Sequence, residues 1–323
     1  QDKWKPDFGP NEFTEAVAKS GVVTIGAREF LIAYNVNLNS RQGDHANDIA
    51  LEIREKGRAA RKEQNTPYYT SGKLVKFRPS KGEFPCSYCY ENYSTMEALS
   101  AHFQEKHDRN LSAELSELGR DENDLEGKNA LRKGRFEECR AVGWVIPEYD
   151  RAQISINLTN FKTTSAHEVL EECRRLSLER GICVTGSEIV GVVPFEAMLE
   201  SGKYYLGLQA TSAGIPVKDV VETAIQSMGL RDLGEFEAKK SVLGMPEIEG
   251  PLNSMTVVDF ANEVSRPSPT PGGGSIAALA GSLGASLSSM VSNLTCTKKK
   301  FAEVHDELEQ SAIACQGLKD SLL

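Results

Sequence analysis

The stretch Pro267–Ser275 constrains the fold of this chain more than any other, because three alternating prolines are followed there by three glycines. Proline fixes φ and cannot continue a helix, and glycine lets the backbone turn, so the stretch predicts a domain boundary. Ser275 is a residue type that caps helices, and a helix is expected to follow it. The bulky apolar residues of that helix recur at steps of three and four along one seam: Ile276, Leu279, Leu283, Leu287, Met290 and Leu294.

A second face of the same helix carries only small residues, at Ala277, Gly281, Ala285 and Ser289. Positions four apart share a helix face, and small side chains let a neighbouring backbone come close, so this face predicts assembly through helices. The loop before the helix has two interpretations of equal weight. It is either a flexible hinge or an anion site made of backbone N–H groups, and its residues are Gly272, Gly273, Gly274 and Ser275.

Length, charge and cysteine content set broad limits on the chain. Its 323 residues suffice for about two domains, and a net charge of -9 argues against general binding to nucleic acid or to a membrane surface. Seven cysteines, an odd number, indicate a reducing compartment, for which the cytoplasm is the expected location. The uncharged run from Pro267 to Thr297 could be mistaken for a membrane span, but its serines and its Pro/Gly cluster argue against one.

Apolar periodicity predicts a mixed fold before the boundary. The predicted elements are a strand at 30–38, a helix at 46–57, strands at 141–146 and 153–159, a helix at 165–180 and a strand at 182–185. This order is that of the ferredoxin-like βαββαβ unit, so we expect an α+β subdomain over residues 1–250 and the first helices of an all-α domain over 251–323. The start without methionine and the uncapped last helix indicate a piece of a longer protein.

Two of the predicted strands carry short polar side chains on one face. Alternation along each strand places these side chains on the side of the sheet that the helices do not cover. A plain outward face usually prefers charged residues, so amides and hydroxyls favour a polar cleft or a subdomain interface over simple solvent exposure. The residues in these two rows are Asn35, Asn37, Gln153, Ser155, Asn157 and Thr159.

Four residues follow the spacing Cys-x2-Cys-x12-His-x4-His, namely Cys86, Cys89, His102 and His107. Thiolates and imidazoles at this spacing can bind one tetrahedral zinc ion from a turn and a helix. Phe84, Tyr93 and Leu99 supply the small apolar core that such a finger needs around its metal. The sequence therefore predicts a structural Zn2+ site in an inserted C2H2-type zinc finger over residues 81–109.

The predicted finger lacks the features of a DNA reader. The helix positions that would contact bases are Thr95, Ala98 and Ala101, and none of them makes bidentate contacts to a base. Residues 81–109 carry three basic and five acidic side chains, which disfavours phosphate binding. The finger is therefore interpreted as a structural or protein-contact module. The basic run 54–81 is either a solvated surface or an anion-attracting approach, and residues 110–138 are expected to form a charged linker or, over 110–135, a solvent-facing helix.

Several separate blocks of sequence resemble one enzyme family. Those before the boundary are similar to the C-terminal subdomain of glutamate formiminotransferase: Pro6–Pro10, Gly26–Leu31, Tyr34–Leu38, Val142–Trp144, Ala152–Ser155 with Asn157–Leu158, and Thr185–Gly191. Those after it are similar to the start of formimidoyltetrahydrofolate cyclodeaminase: Pro271–Ser275, Gly284–Ala285 and Met290–Val291. Together they resemble the bifunctional formiminotransferase-cyclodeaminase family, in which the two parts stand in this order.

The resemblance implies a folate-dependent one-carbon enzyme of histidine degradation. The family transfers a formimino group from formiminoglutamate to tetrahydrofolate and then cyclises it with release of ammonia. Its transferase histidine lies in an N-terminal subdomain and its cyclodeaminase acid lies on a later helix, so the resemblance places no catalytic residue in this chain. Taken alone, the chain is expected to bind folate weakly at most, and the longer protein is expected to be a homo-oligomer.

The resemblance also implies a folate-binding wall, which the amide rows would extend. Its residues are Gly9, Pro10, Asn11, Phe13, Ser20, Gly21, Arg28, Asn35, Asn37, Gln153, Ser155 and Asn157. The zinc finger is not a feature associated with the family. The alternative to an enzyme is therefore a non-catalytic scaffold that keeps the folate-type fold and uses the zinc finger to contact a protein or a nucleic acid.

Overall fold

The computed structural model describes residues 6–9, 12–21, 23–62 and 72–323. Its strands are β1 (Ile32–Leu38), β2 (Arg58–Ala59), β3 (Arg61–Lys62), β4 (Lys73–Leu74), β5 (Phe84–Pro85), β6 (Asn92–Tyr93), β7 (Leu131–Arg132), β8 (Cys139–Ile146), β9 (Arg151–Leu158), β10 (Val184–Val190), β11 (Val193–Pro194) and β12 (Val242–Leu243). Its helices are α1 (Glu15–Ser20), α2 (Gly43–Ile53), α3 (Met96–His107), α4 (Leu111–Glu117), α5 (Ala166–Glu179), α6 (Phe195–Leu208), α7 (Val217–Met228), α8 (Ala238–Ser241), α9 (Val257–Val264), α10 (Gly273–Cys296) and α11 (His305–Ser321).

A four-stranded antiparallel sheet in the order β10–β1–β9–β8 forms the centre of the first part of the chain. β8 and β9 form a hairpin through a 3-10 turn at Pro147–Tyr149, and β1 lies between β9 and β10. Helix α2 follows β1 and helix α5 connects β9 to β10. The mixed α+β fold predicted from the sequence is therefore confirmed.

Helices α2 and α5 cover one face of this sheet because each presents an apolar stripe to it. Alternate residues of β1 point into the same layer and are fully buried: Ile32, Tyr34, Val36 and Leu38. The hydrophobic core continues from α5 to helices α6 and α7. Burial of each large aliphatic side chain in this core stabilises the fold by about 1.5–3 kcal/mol. The opposite face of the sheet is not needed for this core and can carry polar residues.

The chain between α2 and β8 carries an insertion, described over residues 58–62 and 72–132, whose hydrophobic core is separate from that of the sheet. The members of this second core are Ala60, Val75, Phe77, Cys86, Leu99, Phe103, Leu111, Leu115, Leu125 and Ala130. The prediction of a charged linker over 110–138 is therefore wrong, because α4 and the chain beyond it pack into this core. Their few apolar residues are widely spaced among charged ones, so they form no visible periodic stripe.

The insertion joins the sheet through a short neck in which two chain segments cross closely. β2 pairs with β7 there, at the two ends of the insertion. A Cβ atom at Gly134 would lie 1.7 Å from the carbonyl oxygen of Arg54, so the crossing accepts only a glycine. The insertion therefore has a fixed point of attachment to α2.

A buried ion cluster holds the base of this neck. Asp48 of α2, which is fully buried, lies 2.9 Å from Nη1 of Arg58 and 2.9 Å from Nη2 of Arg180. Glu52 lies 3.0 Å from the same Arg58 nitrogen. Arg58 belongs to the basic run 54–81, so neither a solvated surface nor an anion-attracting approach describes this residue, because its charge is compensated inside the protein.

Helix α10 packs against α11 as an antiparallel hairpin, with Ser282 donating to the carbonyl of Lys319 at 3.2 Å. It begins at Gly273 with Gly272 as the N-cap residue, so the predicted cap at Ser275 is wrong, and Ser275 lies in the first turn. Its buried residues are all small: Ser282, Ser289, Ser292 and Cys296. Close packing through small residues is therefore observed, although Ala277 and Gly281 of the predicted face are exposed.

The bulky seam of α10 faces away from this packing. The exposed members include Ile276, Leu283, Leu287, Met290 and Leu294. Among the described residues, α10 is the one helix that is long and apolar enough to cross a membrane. Its most apolar 18-residue stretch has a mean hydropathy of 1.3, and 11% of that stretch is buried. Length and composition alone are weak grounds for a membrane span.

The loop between α6 and α7 docks onto the α10–α11 hairpin through the carbonyl oxygen of Gly214. This oxygen accepts hydrogen bonds from Ser289 Oγ at 2.8 Å, Asn293 Nδ2 at 2.7 Å and Gln316 Nε2 at 3.2 Å. A Cβ atom at Gly214 would lie 2.2 Å from Cβ of Ala312, which is fully buried. The hairpin is thus held against the first part of the chain at a site that requires a glycine.

Replacement of Gly214 by alanine should loosen this docking. The added methyl group would clash with Cβ and with the backbone of Ala312 on α11, and overpacking of this kind costs about 1–3 kcal/mol. Faster hydrogen exchange in α10 and α11 is the expected result. Gly207→Ala is the matched control, since a Cβ atom there meets nothing within 4 Å. Equal exchange in both variants would show that Gly214 does not hold the hairpin.

Candidate functional site

The face of the sheet opposite the helices carries a connected polar network. Gln153 and Asn37 are each 1% exposed, and Gln153 Nε2 donates to Asn37 Oδ1 at 2.8 Å. The same Nε2 lies 3.3 Å from Oε2 of Glu188, which also accepts from Asn35 Nδ2 at 3.4 Å. Strand register brings these groups together, since Asn37 is opposite Gln153 and Asn35 is opposite Glu188. The two predicted amide rows are thus adjacent.

The network extends to residues that sequence reasoning did not single out. Asp232, in the loop after α7, accepts from Asn37 Nδ2 at 3.3 Å and from Arg151 Nη1 at 2.9 Å. Trp144 Nε1 donates to Gln153 Oε1 at 3.3 Å, and its ring is half exposed at the side of the face. The face therefore combines amides, two carboxylates including that of Glu188, and an accessible aromatic ring.

The row on β9 becomes more accessible towards its end. Ser155 is half-buried, and Asn157 is exposed. Asn157 lines a cavity of about 450 Å³ together with Arg28 and Arg140, so the structure brings the predicted Arg28 to the same face. Thr159 lines this cavity as well. The cavity is also lined by two carboxylates, those of Glu29 and Glu138, so a ligand there would meet charged groups of both signs.

The N-terminal members of the predicted folate wall lie on the surface and outside this network. Gly9, Phe13, Ser20 and Gly21 are exposed, and α1 contributes no buried residue. Pro10 and Asn11 lie outside the described residues. Their assignment to a folate site stays a prediction.

The glycine loop before α10 lies next to apolar residues. Gly273 and Gly274 are exposed in the first turn. The N-cap residue is Gly272, which has no side chain to cap the helix. Ser275 lines a cavity of about 540 Å³ whose other walls are mostly apolar, including Met255 and Phe260. No basic side chain lines that cavity among the described residues, so the anion-site interpretation of the loop gains no support from its surroundings.

The four predicted metal ligands converge at one point of the insertion. Cys86 and Cys89 lie on the turn between β5 and β6, and His102 and His107 lie on α3. The ligand atoms of the four residues all lie within 4.8 Å of one another. Two sulfurs and two imidazole nitrogens in such a group are the donor set that zinc prefers, so the residues fit a tetrahedral zinc ion.

Both histidines present the same ring nitrogen to the cysteines. Nε2 of His102 lies 3.2 Å from Sγ of Cys89, and Nε2 of His107 lies 3.4 Å from Sγ of Cys86. Burial raises the pKa of the Cys86 thiol to about 11, so a bound metal ion must displace its proton at neutral pH. The backbone N–H of Tyr88 donates to Cys86 Sγ at 3.4 Å and would stabilise the thiolate.

Comparison with protein families identifies two parts of the chain. Residues 99–245 match the family described as Formiminotransferase domain, and residues 256–323 match the family described as Formiminotransferase-cyclodeaminase. The division between the two matches falls just before α9. It agrees with the separation between the sheet-based part and the helices that follow it.

Individual relatives give the same assignment. The formimidoyltransferase-cyclodeaminase of Dictyostelium discoideum is 31% identical over 93% of this chain and 43% of its own length. The glutamate formimidoyltransferase of Thermoplasma acidophilum is 26% identical over 69% of this chain and 48% of its own length. The methenyltetrahydrofolate cyclohydrolase of Methylorubrum extorquens is 45% identical over 21% of this chain and 32% of its own length. The chain belongs to the formiminotransferase-cyclodeaminase family, and it spans less than half the length of these relatives.

Proposed function

We propose that the open face of the sheet is a binding surface for tetrahydrofolate in a transferase of this family. In the whole protein a formimino group would pass from formiminoglutamate to tetrahydrofolate and then be cyclised with release of ammonia. The observation that carries the proposal is the network of Asn35, Asn37 and Gln153, which lies on the side of the sheet opposite α2 and α5, in the same row as the exposed Asn157. The role proposed for this chain is to bind and orient the folate.

The chemistry of the face suits a flat, polar ring system. Amide side chains both donate and accept hydrogen bonds, and Glu188 and Asp232 can accept from amino groups of a ligand. The exposed ring of Trp144 offers an apolar surface beside them. Arg28 and Arg140, which share the cavity at the end of β9 with Glu29 and Glu138, could pair with carboxylates of the glutamyl tail of a folate. A few polar groups around an apolar surface are typical of cofactor sites.

Asn157→Ala should weaken tetrahydrofolate binding without unfolding the protein, because Asn157 is exposed on the open face. Loss of one hydrogen bond to a ligand costs about 0.5–1.5 kcal/mol, which corresponds to a several-fold rise in Kd. Isothermal titration calorimetry measures this change. Asn262→Ala is the matched control, since Asn262 is an exposed amide on α9. Equal Kd values for the two variants would contradict the proposed surface.

We further propose that the Cys86–Cys89–His102–His107 group holds a structural zinc ion and that the insertion is a C2H2-type zinc finger. Four ligand atoms within 4.8 Å support this, together with a surrounding core that includes Leu99 and Phe103. The ion would cross-link the β5–β6 turn to α3. The strand order β10–β1–β9–β8 supports a ferredoxin-like subdomain within residues 1–250, followed by helices of a cyclodeaminase-like domain over 251–323.

The remaining proposals concern the setting of the protein. Seven free cysteines suit a reducing compartment, and we propose a cytoplasmic location on that ground. The exposed apolar seam of α10 suits assembly with another helix surface, so we propose a homo-oligomer. Binding of nucleic acid or of a membrane is not part of the proposed function.

A further inference from the structure

One side chain of the finger core carries a hydroxyl group that the zinc-finger pattern does not require. Tyr93, on β6, occupies the position at which the spacing predicts only an apolar ring. Its ring packs on the imidazole of His102 with centroids 4.8 Å apart. Its hydroxyl oxygen lies 2.6 Å from Nδ1 of the same imidazole and 2.7 Å from Oε2 of Glu91. A ligand histidine is therefore linked through a tyrosine to a carboxylate.

The direction of these two hydrogen bonds follows from the number of protons available. A tyrosine hydroxyl has one proton, and a carboxylate can only accept, so Tyr93 donates to Glu91. The hydroxyl oxygen must then accept from His102, which places the ring proton on Nδ1. A neutral imidazole with its proton on Nδ1 has its lone pair on Nε2. That nitrogen is the one that faces Cys89 at 3.2 Å.

The second ligand histidine has a different environment. Among the described residues, Nδ1 of His107 has no comparable partner, and its ring instead packs on Tyr88 with centroids 5.2 Å apart. The hydroxyl of Tyr88 donates to Glu114 at 2.7 Å and does not reach a ligand nitrogen. Tyr88 and Tyr93 thus differ in function, since Tyr88 donates to Glu114 of α4 and Tyr93 bonds to a proposed ligand.

We propose that Glu91 and Tyr93 are positioning residues that fix the orientation and the proton position of His102 and thereby raise the affinity of the finger for zinc. This inference rests on the proposed zinc site. Hydrogen-bond partners behind a ligand histidine hold the correct ring nitrogen towards the metal and make it more basic. Their loss typically lowers metal affinity about 10–100-fold.

The experiment compares zinc affinity in four forms of the full chain by competition with a chromogenic chelator. Tyr93→Phe keeps the ring but removes the hydroxyl that links His102 to Glu91, and it should lower zinc affinity about 10–100-fold. Glu91→Gln should weaken binding in the unchanged chain but have little further effect in the Tyr93→Phe background, because the two residues act through one path. Additive effects of the two substitutions on zinc affinity would contradict the inference that Glu91 acts on His102 through Tyr93.

A spectroscopic measurement separates positioning from general loss of stability. In the zinc-loaded protein with 15N-labelled histidine, the Nδ1–H of His102 should exchange slowly with water, and this signal should be lost in Tyr93→Phe. Tyr88→Phe is the matched control, because it removes a hydroxyl of the same finger and should retain the signal. Retention of the signal in Tyr93→Phe would contradict the inference. A wild-type chain that takes up no zinc would instead reject the proposed site itself.

Discussion

Removal of zinc is expected to unfold the insertion and to leave the four-stranded sheet intact. The insertion has a small core of its own, and one member of that core, Cys86, is also a proposed ligand. Small units with little apolar surface to bury usually depend on a metal for stability. Zinc binding to finger peptides supplies an apparent free energy of about 10–16 kcal/mol at pH 7. The hydrophobic core of the sheet shares no residue with this unit.

Hydrogen exchange detected by mass spectrometry, with and without a chelator, measures this effect by segment. Protection in α3 and α4 should disappear on chelation, while protection in β1 and β9 should remain. Cys86→Ser should reproduce the loss without chelator, and Cys183→Ser is the matched control because Cys183 is an exposed cysteine of the sheet part. Unchanged protection of α3 after complete removal of the metal would show that the ion is not structural.

Asp48→Ala is expected to lower the free energy of unfolding of the sheet part by about 3–5 kcal/mol. Asp48 is fully buried and is the carboxylate that compensates two buried guanidinium groups, those of Arg58 and Arg180. Removal of Asp48 takes away the buried carboxylate that both guanidinium groups share and leaves Glu52 beside them, and loss of a buried partner costs far more than loss of an exposed ion pair. The attachment of the insertion should weaken as well, because Arg58 lies at its base.

Urea unfolding, followed by circular dichroism, measures this change in the free energy of unfolding. Asp44→Ala is the matched control, since Asp44 is exposed in the first turn of the same helix, and its loss removes at most the favourable contact with the helix dipole. A difference of less than about 1 kcal/mol between the two variants would show that Asp48 is not needed to compensate the arginines, for example because Glu52 does so.

The sequence alone was sufficient to predict the amide rows, and the reason is geometric. Side chains alternate along a strand, so the apolar positions of β1 fixed which face Asn35 and Asn37 would share. In the structure both lie on the side of the sheet opposite α2 and α5, since the alternate residues of β1 pack into the helix core. The carboxylates of the face were missed for different reasons. Glu188 lies on β10 beyond the predicted strand 182–185, which was too short to include it, whereas Asp232 is 195 residues from its partner Asn37, and no local pattern predicts such a contact.

The helices after the boundary show a different limit of sequence reasoning. The pattern of α10 separated bulky from small residues, but periodicity does not tell which positions a neighbour will cover. The buried positions are Ser282, Ser289, Ser292 and Cys296, and of these only Ser289, which donates to the carbonyl of Gly214, belongs to the predicted small-residue face. The insertion was predicted as a finger plus a linker for a related reason. Leu111 and Leu125 are isolated apolar residues in the sequence. Only the folded chain shows that they belong to the same hydrophobic core as Leu99.

The proposal that the open face binds tetrahydrofolate is tested most directly by NMR of the full chain labelled with 15N at asparagine and glutamine side chains. Titration with tetrahydrofolate should shift the side-chain amide signals of Asn35, Asn37, Gln153 and Asn157 together, at one common Kd. Signals of Asn123 in the insertion and Asn293 on α10 should not move. Shifts confined to the α10 hairpin, or no shifts at saturating tetrahydrofolate, would contradict the assignment of this face as the folate-binding surface.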